Sequence, residues 1–370
     1  MKKQNKKTIS EKNLWILIII MLLTYVPSYA ENLGGSLLRD FPLALPLSQD
    51  RLEFSFDYLD LGDLTDVYGA QDGYLDNMQG FRALLNYGLF TDTTLQSSFI
   101  LRNLDYGTTT MQIFSSDISF KQMLTKKRSA KSIFAALDIG IKTNYADDMV
   151  YTDQADINRS IARFAPGISI NNNDEEYVWF EKNNEIISEK ISRQNRSELQ
   201  AGTQELYDFT PYLRLTAGKL MGSFFPNIHL EYGNPYIRSK SDSTLNEYIP
   251  ESLSDQISNL PQDLDRSENY LKAGVCLLWK FPYKAMAHIE YNYIRLFRDN
   301  ELGYLANDNH VIKADMSYFL TRRFILNMGG TYYHKQFNGV IPFINNEFTW
   351  STFDDRYGRM HIGFTYLFQG

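Results

Sequence analysis

Cysteine is nearly missing. Cys276 stands alone in 370 residues, so no disulfide framework holds the fold together. Beyond the first thirty residues there is also no uninterrupted apolar run of the roughly 20 residues that a helix needs to cross a bilayer. Glycine-rich phosphate loops and paired Cys/His metal spacings are absent. Asp60, Asp63, Asp66, Asp72 and Asp76 crowd one stretch, but without the regular spacing of a calcium loop. None of His229, His288, His310, His334 and His361 lies two residues from a serine, so no nucleophile–base pair shares a strand face. No cofactor or metal is therefore expected.

The start of the chain has its own character. Lys2, Lys3, Lys6 and Lys7 precede the apolar run Leu14–Leu23, and Pro27-Ser28-Tyr29-Ala30 follows. A basic region, a short apolar region and a small-residue cleavage site read as a secretory signal peptide over residues 1–30. The whole chain carries −7, and its first thirty residues hold five lysines against one glutamate, which leaves −11 on the remainder. An acidic exported chain is a poor nucleic-acid ligand, so no nucleic-acid partner is expected. Residues 31–50 contain Phe41-Pro42-Leu43-Ala44-Leu45-Pro46-Leu47, where two prolines forbid a regular ladder. They read as a periplasmic tail or a small luminal plug, the tail being preferred.

From residue 51 onward the pattern is one of strands. Between Tyr270 and Arg295, Leu271, Ala273, Val275, Leu277, Trp279 and Phe281 alternate with more polar neighbours. The alternation breaks at Pro282-Tyr283 and resumes through Ala285, Ala287, Ile289, Tyr291 and Tyr293. A period of two puts successive side chains on opposite faces, so this is an antiparallel hairpin. Each arm has the roughly 10-residue length of a strand that crosses an outer membrane. Similar runs, among them Leu52–Tyr58, Ala83–Leu89, Ile133–Ile141, Ile312–Leu320 and Met360–Phe368, give twelve strands in all. A further hairpin, Ile161–Ile170 with Glu175–Phe180, raises the count to fourteen if it joins the wall. Its charges (Glu175, Glu176, Glu181 and Lys182) suit an outer loop better. Connections after odd strands are mostly long and polar, and those after even strands very short, apart from a medium-length basic connection with Lys126, Lys127 and Arg128 after strand four.

Wiring of this kind resembles a bacterial outer-membrane β-barrel, and Met360 to Phe368 is similar to the C-terminal strand by which such proteins are recognised for insertion. Gln369 and Gly370 follow Phe368, a departure from strands that finish on the terminal aromatic. The resemblance covers residues 51–370 and is one of architecture; no subfamily is implied. It implies an all-β, closed antiparallel transmembrane barrel in the outer membrane of a Gram-negative bacterium. Its expected partners are outer-membrane lipid and, during insertion, the barrel-assembly machinery.

Inward positions carry charge of both signs. Candidates for the lumen lining are Arg82, Arg102, Asp138, Arg214, Glu231, Lys272, Lys280, His288, Glu290, Lys313, Asp315, Arg323, Arg359 and His361. They either line a narrow water-filled pore with a modest anion preference or pair across the lumen and fill it. The expected function is a channel or transporter for small solutes. The alternatives are a barrel presenting long outer loops to partners and an outer-membrane lipid hydrolase; for the latter, rim residues His310 and His334 are the candidates.

Overall fold

The computed structural model describes residues 39–369, apart from 61–74, 107–108, 126–131, 148, 152–166, 172–175, 189–190, 193–200, 244–263, 283, 299–304, 336 and 346–355. The expected signal peptide and most of the first acidic loop lie outside these residues. Twelve strands build one wall. They are β1 (Arg51–Asp60), β2 (Leu75–Phe90), β3 (Thr93–Tyr106) and β4 (Thr109–Met123); then β5 (Ile133–Ala146), β6 (Ala201–Lys219), β7 (Phe224–Gly233) and β8 (Asn269–Phe281). The ring is completed by β9 (Ala285–Phe297), β10 (Asp308–Phe319), β11 (Phe324–Tyr333) and β12 (Tyr357–Gln369).

Each strand pairs antiparallel with the next, and β12 returns to β1 with Phe368 opposite Leu52 and Phe364 opposite Phe56. The barrel is closed, which leaves no strand edge in the ring. Apolar side chains face outward, with Ile362 and Ile289 keeping 65% and 51% of their surface accessible. A continuous apolar outer band is foreign to water-soluble proteins and is what a lipid environment requires. Aromatic pairs gather at the short-turn end, where Phe224 stacks on Trp279 at 5.2 Å and Tyr366 meets Phe368 at 4.6 Å.

Connections at the end holding both Arg51 and Gln369 are two to four residues long, except the nine residues between β4 and β5. At the opposite end they are long, with one exception: β3 ends at Tyr106 and β4 begins at Thr109, so the loop expected between them is a two-residue link. The wall also rises beyond the ring. The first half of β6 pairs with Tyr236–Ser243, and the second half with β7. Pro211, which has no N–H to give, sits where the partner changes, between Phe209↔Tyr236 and Tyr212↔Gly233. Ile168–Asn171 and Tyr177–Lys182 pair in a separate small sheet, so the extra hairpin does not enlarge the ring to fourteen.

The interior is filled at both ends. Residues 39–47 run inside the short-turn end, where Phe41, Leu43, Ala44 and Leu47 are buried with Phe225, Cys276, Leu278, Met286, Ile325 and Leu367 of the wall. This corrects the preferred reading of a periplasmic tail: an apolar run with two prolines cannot join a ladder, yet it can pack. Gly88 lets the segment enter, because a Cβ there would collide with the Ser48 carbonyl. At the other end, Phe337, Ile341, Phe343 and Ile344 fold inward against Leu104, Ile113, Leu206, Ile294 and Tyr357. A short 3₁₀ turn, Pro342–Ile344, forms the tip. Its carbonyls are held, since Arg266 Nη2 donates to Pro342 O at 3.0 Å and to Asn345 O at 2.6 Å. We call these two plugs the inner and outer stoppers.

Candidate functional site

The alternation that turns apolar side chains to the outside turns charged ones inward at matching heights. Antiparallel register then decides who meets whom. Arg214 on β6 stands opposite Glu231 on β7, and Glu231 opposite Lys272 on β8. Glu231 is fully buried and gathers several donors. Arg214 Nε donates at 2.7 Å, the Tyr270 hydroxyl donates at 2.6 Å, Lys272 Nζ lies at 3.7 Å, and Lys142 pairs with it more closely still. A buried carboxylate needs such compensation, and this one has it in excess.

A second assembly ties the inner stopper to four strands. Arg39 Nη2 donates to both carboxylate oxygens of Asp57 on β1, at 3.0 and 2.9 Å. Arg82 on β2 donates through Nε to Asp57 Oδ2 at 2.9 Å and through Nη1 to Asp40 at 2.9 Å. Arg39 Nη1 also lies 3.3 Å from Asp315 on β10, whose Oδ1 is 2.6 Å from His361 Nε2 on β12. Lys313 lies 3.5 Å from Asp40 and 3.6 Å from Glu290 on β9. Lower down, Lys121 donates to the Leu43 carbonyl at 2.8 Å and lies 3.7 Å from Asp138, while His288 stacks on Phe41 at 4.5 Å.

Between the stoppers is a polar chamber of about 180 Å³. Asp40 and Pro42 of the inner stopper form its floor, and Gly339 and Val340 of the outer stopper its roof. Its charged lining is Arg102, Lys142, Arg214, Lys272, Lys313 and Arg359 against Asp40, Asp117, Glu231 and Glu290. Seven of the residues expected from the sequence to line the lumen meet here: Arg102, Arg214, Glu231, Lys272, Glu290, Lys313 and Arg359. Arg82, Asp315 and His361 serve the stopper assembly, Asp138 and His288 lie below the chamber, and Lys280 sits at the short-turn end, half-buried. Arg323 is corrected: it belongs to the turn before Phe324 and is exposed, so it lines nothing.

Residues missed by the sequence reading include Arg39 and Asp40, which come from outside the strand pattern, and Lys121, whose strand is weakly alternating. At the rim, His310 and His334 do approach, with ring centroids 5.6 Å apart. His310 Nδ1 is engaged by the Tyr291 hydroxyl at 2.8 Å, and Asp308 by Tyr293 and Arg295 at 2.5 and 2.6 Å.

No family model matches the sequence, and no curated protein matches it either. Solved structures of similar fold include a Pseudomonas aeruginosa FadL homologue, 8% identical over 90% of this chain and 95% of that one, with a TM-score of 0.46. The translocator domain of the autotransporter NalP from Neisseria meningitidis is 7% identical over 96% and 95% of the two chains, with a TM-score of 0.43. The NanC porin is 8% identical over 85% and 98%, also at 0.43. All three are bacterial β-barrels. At these values the architecture stands on the chain's own closed ring, not on the likeness.

Proposed function

We propose that this chain is an integral barrel of the bacterial outer membrane that conducts small solutes and rests in a closed state. The observation that carries the reading is the polar chamber held between two stoppers inside a wall with an apolar exterior. A barrel built only as a rigid display scaffold has no use for a charge-lined chamber at its centre. A barrel of twelve strands lies between the side-chain-filled eight-stranded case and the open sixteen-stranded one, so its lumen is wide enough to need closing. No disulfide pins either stopper to the wall, since Cys276 is the only cysteine; ion pairs and apolar packing hold the inner one.

Purified protein in planar bilayers tests this. Discrete, salt-dependent current steps support the conduit. Silence together with lipid hydrolysis in detergent favours an outer-membrane hydrolase. Silence in both assays favours a surface-interaction role for the long outer connections.

A further inference from the structure

Most luminal cations among the described residues are paired with a carboxylate, and two buried arginines are not. Arg102 and Arg359 are 3% and 5% exposed, and among the described residues neither lies in an ion pair with a carboxylate. Among the described residues, Arg102 donates through Nη2 to the Ser115 hydroxyl at 3.1 Å, and its buried Nε finds no acceptor. From Ser115 the path to a carboxylate runs through Asn144 to Asp208, two side chains away. Among the described residues, Arg359 Nε and Nη1 find no hydrogen-bond partner.

The two arginines sit on neighbouring inward-facing rows of the ladder that runs across β12, β1, β2 and β3. Met360 is opposite Asp60, Asp60 opposite Gln79 and Gln79 opposite Asn103, so the sequence neighbours of both arginines share one register row of the wall. They are near enough for the charge of Arg359 to act on Arg102. Both reach the chamber, whose lining holds six cationic side chains and four carboxylates. Burying a guanidinium with no counter-charge costs several kcal/mol, and a folded protein tolerates that where something else supplies the charge.

We infer that Arg102 and Arg359 anchor a binding site for a small organic oxyanion inside the chamber. Guanidinium forks match carboxylate and phosphate oxygens in shape and charge. Size limits the occupant: a cavity of about 150 Å³ takes a benzene ring, so one of about 180 Å³ suits a small organic acid and excludes an oligosaccharide. The lid of the site is the outer stopper, since Arg102 lies 5.8 Å from the centre of the Phe337 ring. The inference rests on the chamber being the solute path, and names the class of solute that pauses there.

The test uses full-length protein in detergent, titrated calorimetrically with succinate, with inorganic phosphate, and with succinamide as a neutral isostere of succinate. The expected result is binding of one or both anions and none of succinamide, with affinity reduced about tenfold or more in Arg102→Gln and in Arg359→Gln. The double variant without ligand should melt no lower than the parent, because two uncompensated charges have been removed. The inference is overturned if neither anion binds the parent, if succinamide binds as well as succinate, if the glutamine variants keep full affinity, or if the double variant melts lower or does not fold. Bilayer current separates the two ideas. A barrel that conducts but ignores both anions loses the site and keeps the conduit, and one that binds succinate but never conducts keeps the site and loses the conduit.

Discussion

Arg39 and Asp57 hold the inner stopper in place: the guanidinium donates to both carboxylate oxygens at 3.0 and 2.9 Å, with neither side chain open to solvent. The residue that closes the lumen and the strand that builds the wall are thereby joined by one buried contact. Arg39→Gln leaves Asp57 with Arg82 alone and Asp315 with His361. Breaking one side of a buried pair costs about 3–5 kcal/mol. The variant should unfold at correspondingly lower denaturant while keeping its β-sheet circular dichroism spectrum. A midpoint equal to the parent's would show that the contact holds nothing.

Cys276 reports on the same event. It is buried in the inner cluster with Phe41 and Leu43 and has no disulfide partner. A charged thiol reagent should label the folded parent slowly, and Arg39→Gln or Leu43→Asp several-fold faster as the stopper loosens. Equal labelling of parent and variants would place the stopper elsewhere than in the lumen.

Glu231 is the shared acceptor of Lys142, Arg214 and Lys272. Glu231→Gln strands three cations around a neutral amide. We expect a loss of about 3 kcal/mol or more in unfolding free energy and, in any conducting form, a reversal potential shifted toward anions. Replacing Lys272, the most distant of the three, should cost less than replacing Glu231.

The outer face answers to lipid. Ile289→Lys and Ile362→Lys put a charge on the accessible apolar band, and each should lower stability in vesicles by about 2–4 kcal/mol if near the midplane. Exchanging Ser55, which faces inward beside Thr365, for alanine should cost about 1 kcal/mol at most. Tolerance of both lysines would contradict a lipid-facing wall.

The wall was legible because alternation is a property of each strand by itself. Leu52 to Tyr58, Ile133 to Ile141 and Met360 to Phe368 announce two faces without reference to anything else. The lumen was legible only in part, because inward direction follows from alternation whereas partnership depends on register. Arg323 was misplaced by one residue of turn: with Thr321 to Arg323 outside the strands, its side chain leaves the wall. Both stoppers were hidden because they break the period that finds strands. Even so, Phe41 to Leu47 carried a signal, since seven apolar and proline residues in a periplasmic tail would have nothing to pack against. Phe337, Ile341, Phe343 and Ile344 carried the same signal inside a segment read as an outer loop. The match between odd strands and long connections failed only after β3, where Tyr106 and Thr109 leave room for two residues.

Single-channel recording of the parent beside a variant lacking residues 39–47 tests most directly whether the barrel is a closed conduit. The parent should be shut most of the time, and the shortened chain should show frequent, discrete, salt-dependent openings. A correctly folded shortened barrel that stays as silent as the parent would contradict the account.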